Sequence, residues 1–151
     1  MPINLLYNKG DLFKDMNKDA IYLQACNAQG HWGAGIAIQF KREFMKAFIA
    51  HTKKRNKCGD GYIVKHDQFK IACLITSEFY GRKKDSPKKI LVQTYVAIQN
   101  LLKDIDEDNL LIYSPKINSG YFNTPWYATE RVILRACEKT DKNIEWVIWE
   151  K

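Results

Sequence analysis

Residues 21–40, IYLQACNAQGHWGAGIAIQF, decide how this chain is read. The apolar positions Ile21, Leu23, Ala25 and Cys26 read as a buried strand, and Asn27 to Gly35 read as a polar, glycine-bearing turn. An amphipathic segment opens at Ile36. Strand, turn and helix start together place several backbone N–H groups at the positive end of a helix dipole, where an anion is stabilised. Gly33 and Gly35 allow close approach of backbone to ligand, because glycine has no side chain and tolerates positive φ. The spacing Gly30-x-x-Gly33-x-Gly35 differs from the dinucleotide fingerprint G-x-G-x-x-G. An ordinary tight connection is the competing reading of the same turn.

On either side the pattern alternates strands with helices. Ile3 to Lys9 reads as a strand broken by Gly10-Asp11, and Ala20 to Cys26 as a second strand buried on both faces. One helix is expected from about Gly35, with Ile36, Phe40, Phe44, Ala47 and Phe48 inward. Tyr62 to Lys65 and Phe69 to Thr76 read as strands, and Ser77 to Lys84 as a surface loop. Ser86-Pro87 carries the side-chain cap and first-turn proline of a helix start, with Leu91, Tyr95, Ile98, Leu101 and Leu102 on one face. Leu110 to Ser114 is a short buried strand. Thr124-Pro125 repeats the capping pattern before a helix with Trp126, Thr129, Val132, Ile133 and Ala136 inward, and Ile144 to Trp149 closes the chain as a strand. The order predicts an α/β domain whose helices cover a mixed sheet. Ligands of such sheets bind at the carboxyl ends of strands. Asp11, Asn27 to Gly35 and Asn118 to Asn123 all follow expected strands. Asp11 in that place either meets a ligand amine or closes an Asx turn, the turn being the simpler expectation.

The 151 residues are read as one domain, 1–151. No apolar run reaches the ~20 residues of a membrane span, and no signal peptide is read at the start, so a cytoplasmic protein with no membrane partner is expected. Cys26, Cys73 and Cys137 lie among apolar residues and Cys58 in a polar turn; without a CxxC pair, reduced thiols are expected. The net charge of +7 is concentrated in Lys41–Lys46, Lys53–Lys57 and Arg82–Lys89. Each cluster alone reads as a solvated lysine-rich surface, with attraction of an anion as the alternative.

Several chemistries lack their residues. There is no GxxxxGK phosphate loop, no cysteine followed six positions later by arginine and no GxSxG elbow. His31, His51 and His66 show no metal-ligand spacing, so neither a metal nor a cofactor is expected.

Three segments together resemble a known family. GDLF (Gly10 to Phe13), ACNAQGHWGAGIAIQF (Ala25 to Phe40) and PKINSGYFNTPWYATERV (Pro115 to Val132) are similar to macrodomains, above all to the fungal-type ADP-ribose 1''-phosphate phosphatases, with the terminal ADP-ribose glutamate hydrolases as a related branch. The resemblance implies a three-layer α/β/α sandwich with a central mixed sheet, and ADP-ribose or its 1''-phosphate as partner. It implies that Asp11 accepts a hydrogen bond from the adenine amine, with the Leu12 backbone completing the contact. Gly33, Ala34, Gly35 and Ile36 would surround the distal ribose and its phosphate. Asn118, Ser119, Gly120, Tyr121 and Phe122 would hold the diphosphate through main-chain N–H groups. Asn27 would contact the distal ribose or position the attacking water.

Two departures bear on catalysis. The fungal branch carries His where this chain has Gln24, and an amide cannot act as an acid or base near neutral pH. His31, in the same loop, supplies a ring that changes charge there, so Asn27, His31 and Gln24 form the candidate catalytic set. The glutamate hydrolases carry Asp where this chain has Phe122, and their lysine falls near Ser77 or Glu78, which disfavours their reaction. The leading expectation is therefore a monomeric, metal-independent phosphatase acting on ADP-ribose 1''-phosphate. The alternatives are a non-catalytic ADP-ribose-binding module and, below it, a nucleic-acid binder; nucleic acid is not expected as a partner.

Overall fold

The computed structural model describes residues 3–151. Six strands, β1 (Ile3–Lys9), β2 (Ile21–Asn27), β3 (Gly61–His66), β4 (Phe69–Ser77), β5 (Asn109–Ser114) and β6 (Asn143–Glu150), form one sheet in the order β1-β6-β5-β2-β4-β3. Every neighbouring pair is parallel except β3 with β4. That antiparallel pair turns through Asp67-Gln68, where Asp67 takes a φ of 51°; Asp tolerates the left-handed region better than most side chains.

Alternation along β2 sends Ile21, Leu23 and Ala25 to one face and Tyr22 and Cys26 to the other, and both faces are covered. Helices α1 (Ile36–Glu43) and α2 (Met45–Thr52) close the face built on Tyr22, Phe40, Phe44 and Ile71. Helices α3 (Pro87–Asp104) and α4 (Trp126–Ala136) close the face built on Leu23, Leu74, Ile98, Ile112 and Trp146. The result is a three-layer α/β/α sandwich. Among the described residues no helix is long and apolar enough to cross a membrane.

The single helix expected after Gly35 is two. The break falls at Phe44 (φ −128°, ψ 56°). Phe44 is fully buried against the rings of Phe13, Tyr22, Phe40 and Phe69. Burying such a ring stabilises by about 2–3 kcal/mol, against about 1 kcal/mol for one helical hydrogen bond. Part of even that cost is recovered, because the Lys46 N–H donates to Nδ1 of His66 at 3.1 Å.

The buried stripe of α3 also differs from expectation. It is Ile90, Thr94, Ala97, Ile98, Leu101 and Leu102, while Tyr95 is exposed and Leu91 half-buried. The helix is pulled onto β3 at Gly61, where a Cβ would lie 2.0 Å from the carbonyl oxygen of Ala97. Ser86 caps α3 as expected, accepting from the Lys89 N–H. Thr124 does not cap α4: Pro125 occupies the cap position, and the buried Thr124 hydroxyl donates to the Phe122 carbonyl. All four cysteines are free thiols.

Candidate functional site

The topology opens a crevice at one place. From β2 the chain crosses through α1 and α2 to the edge strand β3 and returns along β4, and from β5 it crosses through α4 to β6 on the opposite face. Loops leaving β2 and β5 therefore diverge, which is where open α/β sheets bind ligands. The two strands also pair over only Ile21–Ile112 and Tyr22–Tyr113, whereas β2 stays paired with β4 to its end. A cavity of about 660 Å³ lies there. That volume suits a small organic ligand.

The first wall is the β2–α1 loop, from Asn27 to Ala37. Asn27 is buried and shapes this loop: its Oδ1 accepts from the N–H groups of Gln29 (3.0 Å) and His31 (3.3 Å), and its Nδ2 donates to the His31 carbonyl (2.9 Å). One amide hydrogen remains free of that loop. Trp32 anchors the glycine turn from below, buried against Phe48 and His51. Gly35 caps α1 with φ +59°.

The second wall is the β5–α4 loop, from Pro115 to Phe122. Asn118, at φ 66°, turns its side chain inward instead of toward the cavity mouth. Its Oδ1 accepts from the Thr76 hydroxyl (3.0 Å) and its Nδ2 donates to the Thr94 hydroxyl (2.9 Å), which in turn donates to the Ile90 carbonyl (2.7 Å). A buried relay thus ties the loop to β4 and α3, and the Asn118 carbonyl accepts from the Thr124 N–H at 2.8 Å. Among the described residues, no protein acceptor takes the N–H of Gly33, Ala34 or Gly35 in the first loop, or of Gly120, Tyr121 or Phe122 in the second. Two runs of unengaged amides line one cavity, an arrangement that accepts an anion without a cationic side chain.

The third wall is the loop after β4, which the sequence alone presents as a surface loop. Tyr80 and Gly81 line the cavity, and Tyr80 packs on His31 with ring centroids 4.6 Å apart. The loop is tied to its neighbours: the Ala28 N–H donates to the Ser77 carbonyl (2.9 Å) and Gln29 Nε2 to the Glu78 carbonyl (3.2 Å). Sequence reasoning missed Tyr80, Thr76, Thr94 and Trp32. Of these, only Trp32 lies inside the segment that the sequence singles out, and nothing in its spacing marks it as the residue buried beneath the turn.

Among the described residues no carboxylate lines the cavity. Lys116 does, and it is ion-paired with Glu150. Burial pushes the Cys26 thiol well above its ordinary range, which makes it a poor nucleophile. His31, exposed at the mouth, is the imidazole among the lining residues.

Three of the expected site residues stand apart. Asp11 closes an Asx turn, its Oδ1 accepting from the Phe13 N–H at 2.9 Å, and its Oδ2 lies 3.7 Å from Lys151 Nζ. Leu12 is buried in the core under α1. Gln24 is 1% exposed, and neither amide atom has a protein partner. None of the three lines the cavity, whereas Asn27, His31, Gly33 to Ile36 and Asn118 to Phe122 all do.

Fold and site together define an α/β/α sandwich with an anion-accepting cavity at its strand ends. The Macro domain family model matches residues 23–133, and the chain belongs to that family. It is 32% identical to the ADP-ribose 1''-phosphate phosphatase of Meyerozyma guilliermondii over 87% of this chain and 93% of that protein. It is 34% identical to the ADP-ribose 1''-phosphate phosphatase of Candida albicans over 84% of this chain and 90% of that protein. Among solved structures, the macrodomain of Mycobacterium tuberculosis DarG superposes with a TM-score of 0.79 at 18% identity, covering 98% of each chain. Thermosipho africanus DarTG in complex with ADP-ribose gives 0.69 at 17% identity, over 95% of this chain and 41% of that one.

Proposed function

We propose that this chain hydrolyses ADP-ribose 1''-phosphate to ADP-ribose and inorganic phosphate, acting as a monomer. The observation that carries this reading is the pair of loops whose unengaged N–H groups line one cavity, because such groups stabilise charge on a phosphoryl group and need no reorganisation to do so. The phosphatases named above supply the substrate.

In this reading the amides of Gly33 to Ile36 surround the 1''-phosphate, and those of Gly120 to Phe122 hold the diphosphate, the Ser119 N–H being taken by the Lys116 carbonyl. Asp11 Oδ2, the carboxylate oxygen not used by the Asx turn, takes the adenine amine. Leu12 completes that contact through its backbone. Water attacks phosphorus as the bond to the ribose oxygen breaks, and that oxygen takes up a proton. His31 moves the proton, and the free Nδ2 hydrogen of Asn27 orients the water or the distal ribose. Gln24, as an amide, moves no proton.

The test is phosphate release from purified protein and ADP-ribose 1''-phosphate in EDTA. His31→Ala lowers kcat about 10²-fold or more, the usual worth of a positioned acid–base group, with ADP-ribose affinity little changed. Gln24→Leu leaves kcat within about twofold, since no proton transfer is lost. Absence of phosphate release from the parent, alongside saturable ADP-ribose binding, overturns the phosphatase and leaves a binding module. The burial of Gln24, where the branch carries His, is the observation that favours this second reading.

A further inference from the structure

We infer that a single-stranded polynucleotide binds along a basic strip that starts at the cavity mouth, where Tyr80 is shared, and whose cations all lie outside the ADP-ribose cavity. Two lysine-rich runs far apart in sequence become one surface in the fold. Lys53, Lys54, Arg55 and Lys57 lie in the α2–β3 connection. Arg82, Lys83, Lys84, Lys88 and Lys89 lie in the β4–α3 connection and the first turn of α3.

The connections are joined at Cys58. Its Sγ lies 3.7 Å from Glu78 Oε2 and 3.9 Å from Asp85 Oδ2. Backbone bonds hold the first connection against β4, from whose end the second leaves: Gly59 N–H to the Ile75 carbonyl (2.9 Å) and Ile75 N–H to the Asp60 carbonyl (2.8 Å).

The acids of the strip are used internally. Asp85 accepts from the Glu78 N–H and Asp60 from the Lys57 N–H, both at 3.0 Å. Among the described residues none of the nine cations makes an ion pair. The strip holds nine of the 24 lysines and arginines but only three of the 17 acids, so most of the +7 net charge resides here.

Lys88 and Lys89 add a second, independent indication. They occupy the first turn of an 18-residue helix that has no acidic residue there. Cations at that end oppose the helix dipole. A bound phosphate chain would remove the conflict.

Exposed aromatic rings decide which polyanion fits. Phe79 and Tyr80 are 42% and 49% exposed beside Arg82 and Lys83, with Tyr80 at the cavity mouth. Cations that follow a phosphate backbone, next to rings on which unpaired bases stack, are the features of a single-strand binder. A sulfated glycan or an anionic membrane would use the cations and leave the rings idle.

The test is fluorescence anisotropy of a labelled 20-nucleotide oligouridylate, with the matching duplex, heparin and phosphatidylserine vesicles as competing ligands. The expected result is binding by the single strand, with log K falling against log salt at a slope near −3, as about four neutralised phosphates give. The variant Lys53→Ala/Arg55→Ala/Lys83→Ala/Lys88→Ala should lose tenfold or more in affinity and flatten the slope, while its phosphate release from ADP-ribose 1''-phosphate stays unchanged. Phe79→Ala should weaken the single strand but not heparin. The inference is overturned by no oligonucleotide binding at 50 mM salt, by parental affinity in the four-site variant, or by heparin or vesicles binding where the oligonucleotide does not. None of these outcomes bears on the phosphatase reading, which the small-substrate assay decides.

Discussion

A Cβ on Gly35 would lie 2.9 Å from Cδ2 of Tyr121, so the two cavity loops touch through a hydrogen where any other residue would place carbon. The φ of +59° at the same position adds backbone strain for an L side chain.

Gly35→Ala therefore carries two separable penalties. The φ contributes about 1–2 kcal/mol, and the collision displaces Tyr121 from over the cavity. Calorimetry should show ADP-ribose affinity falling tenfold or more. Adding Tyr121→Ala relieves the collision but not the strain, so the double variant should regain part of the lost stability in a thermal melt. Equal melting of single and double variants would place the whole cost in the backbone.

Asn118 is expected to matter through stability before contact. Asn118→Ala strands the Thr76 hydroxyl, removes the donor that Thr94 accepts from while leaving its bond to the Ile90 carbonyl, and puts alanine at φ 66°. A stranded buried partner costs about 1–3 kcal/mol, and each kcal/mol lowers Tm by about 2–4 °C in a chain of this size. Thr94→Val, which removes one partner of the relay and never touches ligand, should show a smaller drop in Tm and a weaker affinity for ADP-ribose. Unchanged affinity in Thr94→Val would mean that the loop holds its shape without the relay.

Gly61→Ala tests the seat of α3 on β3. Its Cβ meets three backbone atoms of α3, 2.0 Å from the Ala97 oxygen, 2.9 Å from the Ala97 carbon and 3.1 Å from the Leu101 nitrogen. Backbone cannot rotate away as a side chain can, so the loss should exceed the ~1–3 kcal/mol typical of overpacking. Denaturant melts should show a large drop in midpoint or no folded protein.

Alkaline pH should destabilise the fold through the Cys137 thiol. Burial pushes Cys137 up to about 12, against about 8.5 for a free thiol in the unfolded chain. Between those values the unfolded chain has released a proton that the folded chain retains, so stability is whole below about 8.5 and declines until pH passes about 12. The decline reaches about 1.4 kcal/mol per pH unit for one such group. Melts of Cys137→Ala between pH 8 and 10 should fall less steeply than those of the parent.

The strands were legible because their apolar runs are short, three of them close at Gly10, Asn27 and Pro115, and they alternate with helical periodicity. The cavity's two main walls were legible for the same reason: each follows a strand end and carries glycine where backbone must approach a ligand. The break at Phe44 was not, since no glycine or proline marks it and the helical spacing of Phe40, Phe44 and Phe48 runs straight through. It arises from tertiary burial of one ring. Tyr80 was hidden because a loop of mixed polarity becomes a cavity wall only when Ala28 and Gln29 bind it. Thr76 and Thr94 lie in a strand and a helix where nothing local distinguishes them from ordinary polar residues; only Asn118, far along the chain, gives them a role. Asp11 behaves as the local reading expected, closing its own turn.

The short pairing of β2 with β5 has a consequence for motion. Amide protons in the middle of a sheet ordinarily exchange with solvent last, because both neighbouring strands must open before they are released. Here the strands part after Tyr22 and Tyr113, so the β2 amides beyond that point which face β5 have no strand partner to shed. Deuterium should enter the sheet at its centre, along Leu23 to Asn27, ahead of the fully paired β6. Occupation of the cavity should reverse that order, making the ligand the missing rung of the ladder.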